Sequence, residues 1–433
     1  MSTETILPID RQSVSAQSTL KQEPQWMSEL RLKGLELAEA LELPRLEKSR
    51  IDRWNHDGYG AYKHTAFIEA FSGLPSAAQE LLNEENSANL LVQINSSLAY
   101  SNVKAELASQ GVLFMDLETA LKQHSDLVQS YFMKVVKQDE NRITALHSAI
   151  WNGGIFLYVP ENVKVDLPLQ ALFLSDDAQA TFAPHILIIA EANSSVSFVD
   201  NWISTGEGQR VANGIIEVHV KQGAKVRYAS VHNLGEQVTD LTYRRAIVDN
   251  DGRMEWIGGE LDSGNVLSDT TTILKGGGAS SDAKVICVGT NDQKMNLTTR
   301  AIHIGRNTNS DMITRAVMRD QSTAIINGVT KIEKGATGAN GQQTEKVLML
   351  SPQSRGDANP ILLIDEDDVK CGHAASVGQV NPEQIHYLMS RGIAKSEAQR
   401  LIIYGFLAPV VAELPIEKIA AKLQELVERK LGQ

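Results

Sequence analysis

The chain has 433 residues, 42% hydrophobic and 22% charged, enough for a large core and for two or three domains. Its 41 basic and 53 acidic residues leave a formal charge of −12, which argues against a nucleic-acid partner. Two cysteines, Cys287 and Cys371, make no disulfide framework, and the opening MSTETILPID lacks the pattern of a secretory leader, so a reduced cytoplasmic protein is expected.

The N-terminal region, 1–140, reads mostly as helix. In 27–41 the apolar residues Leu30, Leu37, Ala38 and Leu41 recur at helical spacing. In 116–138, Leu117, Leu121, Val128, Phe132 and Val135 share a stripe, with Asp116 as N-cap. Between them, 50–67 is polar, dotted with aromatics, and reads as irregular structure.

From Arg142 to Pro382 the texture changes. Short β-rich runs such as HILIIAE, IIEVHV and KVICVG alternate with Gly, Asn, Asp and Ser turns. An apolar-then-turn step recurs at Ala190, Val220, Val248, Leu274, Ile304 and Ile332. The repeat is shorter than a propeller blade needs and suits a β-helix, in which inward positions stack into apolar ladders.

After Val380 helical grammar returns. Asn381 and Pro382 open one helix, which Gly392 stops. Ser396 to Gln399 fits a capping box for the next, and Pro415 opens a third with Ile416, Ile419, Leu423 and Leu426 inward. The apolar run 401–414 is interrupted by Gly405 and Pro409 and is shorter than the ~20 residues that span a bilayer, so no membrane partner is expected. The expected organisation is mainly β: helical 1–140, a β-helix over 141–380, and a helical unit over 381–433. Helices at both termini would cover the ends of the solenoid.

The chemistry centres on DEDDVKCGHAASVGQ, residues 365–379. Cys371 and His373, spaced i and i+2, fall on one face of an extended chain. Either they are a small buried thiol and a surface imidazole, or they are half of an iron or zinc site. A zinc site or an iron–sulfur cluster takes four ligands, so a second chain would have to complete it. The acids Asp365 to Asp368 read as a solvated turn, and Cys287 as a core thiol. KGGGASS (275–281) and KGATGANG (334–341) lack the phosphate-loop pattern, so no nucleotide is expected on this chain. Histidines 147, 185, 219, 232 and 303 show no mutual spacing and read as structural. A rival reading is a β-helix enzyme acting on a polysaccharide-like substrate through Glu260, Asp262 and Asp269, although nothing in the sequence places these in one cleft.

Two long strings go further. ALHSAIWNGGIFLYVPENVKVDLPLQ (145–170) and RGDANPILLIDEDDVKCGHAASVGQVNPEQIHYLMSRGI (355–393) resemble the entry to and exit from the core of the SufB/SufD family, and the chain length and N-terminal region resemble its SufD side. The resemblance covers about residues 140–433. It implies a central right-handed parallel β-helix and a scaffold without catalysis of its own. It also implies a SufB paralogue as partner through the β-helix, the SufC ATPase on the C-terminal helices, and sulfur supplied through SufS and its carrier. A transient iron–sulfur cluster would form at the interface between the paralogues. The family's Cys-x-His position falls on Cys371 and His373, the histidine being the stronger ligand candidate; Cys287 acquires no role. The isolated chain could self-pair as a homodimer.

Overall fold

The computed structural model describes residues 9–82, 87–412, 425 and 427–430. From Ile155–Val159 onward each strand pairs in parallel with the strand two further along the chain, so the strands alternate between two sheets and form a parallel β-solenoid of about eight turns. No helix among the described residues is long and apolar enough to cross a membrane.

The ladder of the solenoid runs through Ala190, Val220, Val248, Leu274, His303 and Ile332, which occupy one register position on successive turns. The period read from sequence is therefore right at five positions and one residue off at the sixth. His303 holds the slot and is fully buried, while Ile304 beside it is 44% exposed. A histidine fits an apolar ladder because both ring nitrogens are bonded, to Thr308 Oγ1 at 2.8 Å and Ser310 Oγ at 2.9 Å. Elsewhere the interior is aromatic. Phe198, Tyr228 and Trp256 stack on consecutive turns with centroids 5.3 Å apart.

The N-terminal region holds strands as well as helices, which corrects the mostly helical reading. Leu90–Ile94 pairs in parallel with Leu169–Ser175 and antiparallel with Ser97–Asn102, and Leu113–Asp116 runs antiparallel to Ile155–Val159. These runs are short and sit between helices, so neither period stands out. They end both sheets, at the first turn, in short antiparallel strands.

Gln25–Ala40 is helical as expected, but the face it buries is Met27, Arg31, Gly34, Leu35 and Ala38. Arg31 is fully buried because Glu23 takes it bidentately at 2.7 and 2.6 Å and the Ala149 carbonyl takes a third bond at 3.0 Å. Asp116 caps its helix by accepting from the Thr119 N–H at 2.9 Å. That helix stops at Gln123, and a second runs Ser125–Tyr131, so 116–138 is two short helices broken at His124. The apolar stripe holds for Leu117, Leu121, Val128 and Phe132, which are buried, but Val135 lies beyond the second helix and is only half-buried. A helix absent from the sequence reading, Arg142–Ile150, is capped by Asn141 in a reciprocal box with Thr144.

At the other end, Pro382–Ser390 begins at Asn381 and precedes Gly392 at φ 84°, as expected. The following helix, Lys395–Val411, starts after Ala394 with no side-chain cap and runs through Gly405 and Pro409, so the capping box at Ser396 does not form. It does not cap the solenoid. Ile403, Leu407 and Val410 lie along its flank against Val231, Ile257, Leu261, Ile286, Val288 and Val317. The helix expected from Pro415 lies outside the described residues. The last strands, Arg355–Ile364 and Lys370–Gln379, end their sheets, and no further described strand pairs with either. The sheets thus end in short antiparallel strands of six and four residues at the first turn and in bare ten-residue parallel strands at the last.

Candidate functional site

The open last turn carries Cys371 and His373. Both lie on Lys370–Gln379, where Cys371 pairs with Gly341 and His373 with Gln343, two inward positions of the preceding strand. Alternation along that strand therefore aims both side chains at the uncovered end of the interior. His373 is exposed. Cys371 is half-buried against Ile332, Ala336, Ala339 and Val369. Burial pushes its thiol pKa up, with a hydrogen bond from Thr330 working the other way, so a metal would have to displace the thiol proton to use the sulfur. Around the pair the edge is apolar, with Leu363, Ile364 and Val377 between 42% and 47% exposed.

The acids behave as a turn. Glu366 accepts from the Gly335 and Asp367 N–H groups, and Lys334 lies 3.7 Å from Glu366 and 3.8 Å from Asp367. Cys287 is fully buried, and burial pushes its thiol up to about 12, which fits a core cysteine. Glu260 and Asp262 are buried inside the solenoid, while Asp269 turns outward to Arg245 at 2.7 Å. They share no cleft, so the carbohydrate-active reading gains no site. The five histidines are all buried, and two meet: His147 Nε2 lies 3.1 Å from His185 Nδ1.

One residue beside the candidate site escaped the sequence reading. Glu345 lies two positions beyond Gln343 on the same inward face and is 2% exposed, and one carboxylate oxygen has no partner among the described residues. Burial pushes its pKa up to about 7. The unfolded value is about 4.3, so the folded state holds a proton that the unfolded state releases between those values. Stability of the isolated chain is expected to fall as pH rises from about 4.3 to 7 and to level off above. Glu345→Gln should flatten that fall. Urea midpoints at pH 5 and pH 8 check it; equal pH dependence in both proteins would remove Glu345 as the cause.

Comparison with known proteins agrees with this architecture. A family model described as "SUF system FeS cluster assembly, SufBD core domain" matches residues 173–406, and "SufBD protein N-terminal region" matches 83–171. The chain belongs to the SufBD family. The first of these SufBD matches runs from within Leu169–Ser175 into the flanking helix, and the second covers the short antiparallel strands at the first turn. Among SufBD relatives, a Bacillus subtilis protein named iron–sulfur cluster assembly protein SufD is 46% identical over 438 residues, covering all of both chains. A Staphylococcus epidermidis SufBD family protein is 32% identical, covering 95% of this chain and 90% of its own, and one from Staphylococcus haemolyticus is 31% identical with the same coverage. The resemblance to the SufD side of the family holds, and the chain is an iron–sulfur cluster assembly protein of SufBD type.

Proposed function

We propose that this chain is a non-catalytic scaffold subunit that shares a nascent iron–sulfur cluster with a SufB paralogue across its open last turn. The observation that carries this reading is the pair of uncapped ten-residue edge strands, one of them presenting His373 beside Cys371. Bare edges of this length are otherwise an aggregation hazard, and strands from a related solenoid would satisfy both at once. Two ligands from this chain are too few for a cluster, so the partner completes the set. The chain binds no nucleotide itself. The cluster is cargo, with sulfur reaching it from SufS through its carrier, in the cytoplasm.

The test is co-expression with SufB and SufC, followed by iron and acid-labile sulfide per complex. His373→Ala should lower both by about tenfold or more, the scale of losing support at a metal site. The isolated variant should keep its stability within about 0.5 kcal/mol, because the imidazole is exposed. Cys371→Ser should have the milder effect. Normal clusters on the His373→Ala complex would overturn the ligand assignment.

SufC is assigned to the C-terminal helices. Between Pro382–Ser390 and Lys395–Val411 lies a groove of about 680 Å³ lined by Tyr387, Leu388, Leu401, Ile402 and Phe406. Tyr387 is 58% and Leu401 43% exposed, so truncating both should spare the fold. The Tyr387→Ala, Leu401→Ala double variant is expected to lose SufC in a pull-down while keeping SufB. Undiminished SufC recovery would move the docking site elsewhere.

A further inference from the structure

Well inside the solenoid, His232, Asp240, Glu260 and Asp262 converge, one donor atom from each lying within 4.8 Å of all the others. None is more than 1% exposed. His232 and Glu260 are register neighbours on successive turns, Asp240 faces them from the other sheet, and Asp262 follows Glu260 as the chain leaves its strand.

Part of this cluster is internally bonded. His232 Nδ1 donates to Asp240 Oδ2 at 2.6 Å, and Thr242 Oγ1 donates to Asp240 Oδ1 at 2.5 Å. Arg244 donates to Glu260 Oε1 at 2.9 Å and to His232 Nε2 at 2.8 Å. A guanidinium has only donors, so Nε2 accepts and the ring proton sits on Nδ1. The imidazole is therefore already committed at both nitrogens. Ser268 Oγ donates to Glu260 Oε1 at 2.8 Å, and the Leu234 N–H donates to Asp262 Oδ1 at 2.6 Å.

What remains is specific. Oε2 of Glu260 and Oδ2 of Asp262 are buried and have no hydrogen-bond partner among the described residues. Orphan carboxylate oxygens at such depth ask for a donor or a cation. Three carboxylates stand against Arg244, with Cys287 next along the ladder from Glu260 and with Lys430 bonded to the Asp262 carbonyl oxygen and, at 3.2 Å, to Gln293 Oε1.

We propose that Asp240, Glu260 and Asp262 bind one divalent cation of the Mn²⁺ or Fe²⁺ kind, with His232 and Arg244 as positioning residues that hold two of the carboxylates in place. An all-oxygen donor set selects hard to borderline cations. Mg²⁺ retains several waters and Ca²⁺ wants six to eight oxygens, neither of which suits a closed site with three carboxylates. Bonding of an outer imidazole to a ligating carboxylate is the usual support for such a site. A cleft of about 350 Å³ lined by Leu261, Ser263, Arg319, Asp320, Arg429 and Lys430 lies against the residues on either side of buried Asp262.

The test uses the full chain, stripped with chelator and titrated with MnCl₂ in excess Mg²⁺, in the wild type and in His373→Ala so that binding at the open end is separated from binding inside. Loss of the free Mn²⁺ EPR signal counts bound ions, and thermal melting reports stabilisation. One Mn²⁺ per chain is expected in both proteins, with a raised Tm. Asp262→Asn and Glu260→Gln should each weaken binding by at least about tenfold. Asp262→Asn keeps the oxygen that accepts from Leu234, and Glu260→Gln serves if that variant does not fold. Absence of a saturable Mn²⁺ site, or one that survives either substitution, would overturn the proposal and leave the orphan oxygens to ordered water only. Either result leaves the cluster test on His373 unaffected.

Discussion

Glu217→Ala is expected to destabilise the isolated chain by about 3–5 kcal/mol, the scale seen when one partner of a buried charged network is removed. Glu217 is fully buried on a central strand. Its carboxylate accepts from the backbone N–H groups of Met133 at 2.5 Å, Val135 at 2.6 Å and Val136 at 2.9 Å, and it meets His185 Nε2 at 3.2 Å. Met133 is left-handed at φ 55°, and the segment it belongs to has left its helix, so this carboxylate is what satisfies its amides. The network continues through His185 to His147, whose Nδ1 lies 2.9 Å from the Asn213 carbonyl. A carbonyl only accepts, so His147 carries its proton on Nδ1 and accepts at Nε2 from His185. His185 and Glu217 then share one further proton. Alanine would strand the amides and the imidazole together. The carboxyl group's pKa is lowered in the fold: burial works against the charge, but the bond from His185, the nearby imidazoles and the amides outweigh it. Its contribution is therefore present above the unfolded value of about 4.3 and lost as pH falls through the lower folded value. Urea midpoints at pH 7 should differ strongly between wild type and variant, and the gap should shrink below about pH 4. A variant that matches wild type at pH 7 would refute this account.

Truncation after Val380 is expected to give an aggregating chain rather than a stable solenoid core. A solenoid's nearest-neighbour energetics argue that an end unit is dispensable. Here the C-terminal helix is not an end unit. Ile403, Leu407 and Val410 cover a flank of the sheet across several turns, over Val231, Ile257, Ile286 and Val317. Each such side chain contributes roughly 1.5–3 kcal/mol when buried, so losing three approaches the whole stability of a typical domain. Leu407→Ala alone should cost about 2–5 kcal/mol. Size-exclusion chromatography and circular dichroism melts check both, and a monodisperse truncated chain with wild-type Tm would show that the flank tolerates water. It follows that truncation cannot by itself test the proposed SufC site, whereas substitution of exposed Tyr387 and Leu401 can.

The solenoid was legible because its turns repeat a hydrophobic slot, and it failed only where hydrogen bonding let His303 take that slot. Strands between 90 and 116 were hidden because each is four to six residues long, and two of them, Leu90–Ile94 and Leu113–Asp116, also pair with segments far along the chain. Arg142–Ile150 carried a readable signal, Asn141 with Thr144 three positions on, at the point where the sequence turns to β-rich runs. Cys371 and His373 were readable as a pair because their spacing matches a strand. The cluster around Asp262 was not, since its members are scattered from His232 to Asp262 over two sheets and only the coil's return brings them together. No spacing rule encodes that.

The contrast between short antiparallel edges at the first turn and long parallel edges at the last also bears on stoichiometry. A rod with two adhesive ends adds units indefinitely and becomes a filament; a rod with one adhesive end can be joined once. The short antiparallel strands Ser97–Asn102 and Leu113–Asp116 offer a second solenoid little edge to add to, which favours a single contact at the last turn. Whichever copy arrives first, paralogue or twin, excludes the other. The relative abundance of the two chains would then set how much of this one is productively paired.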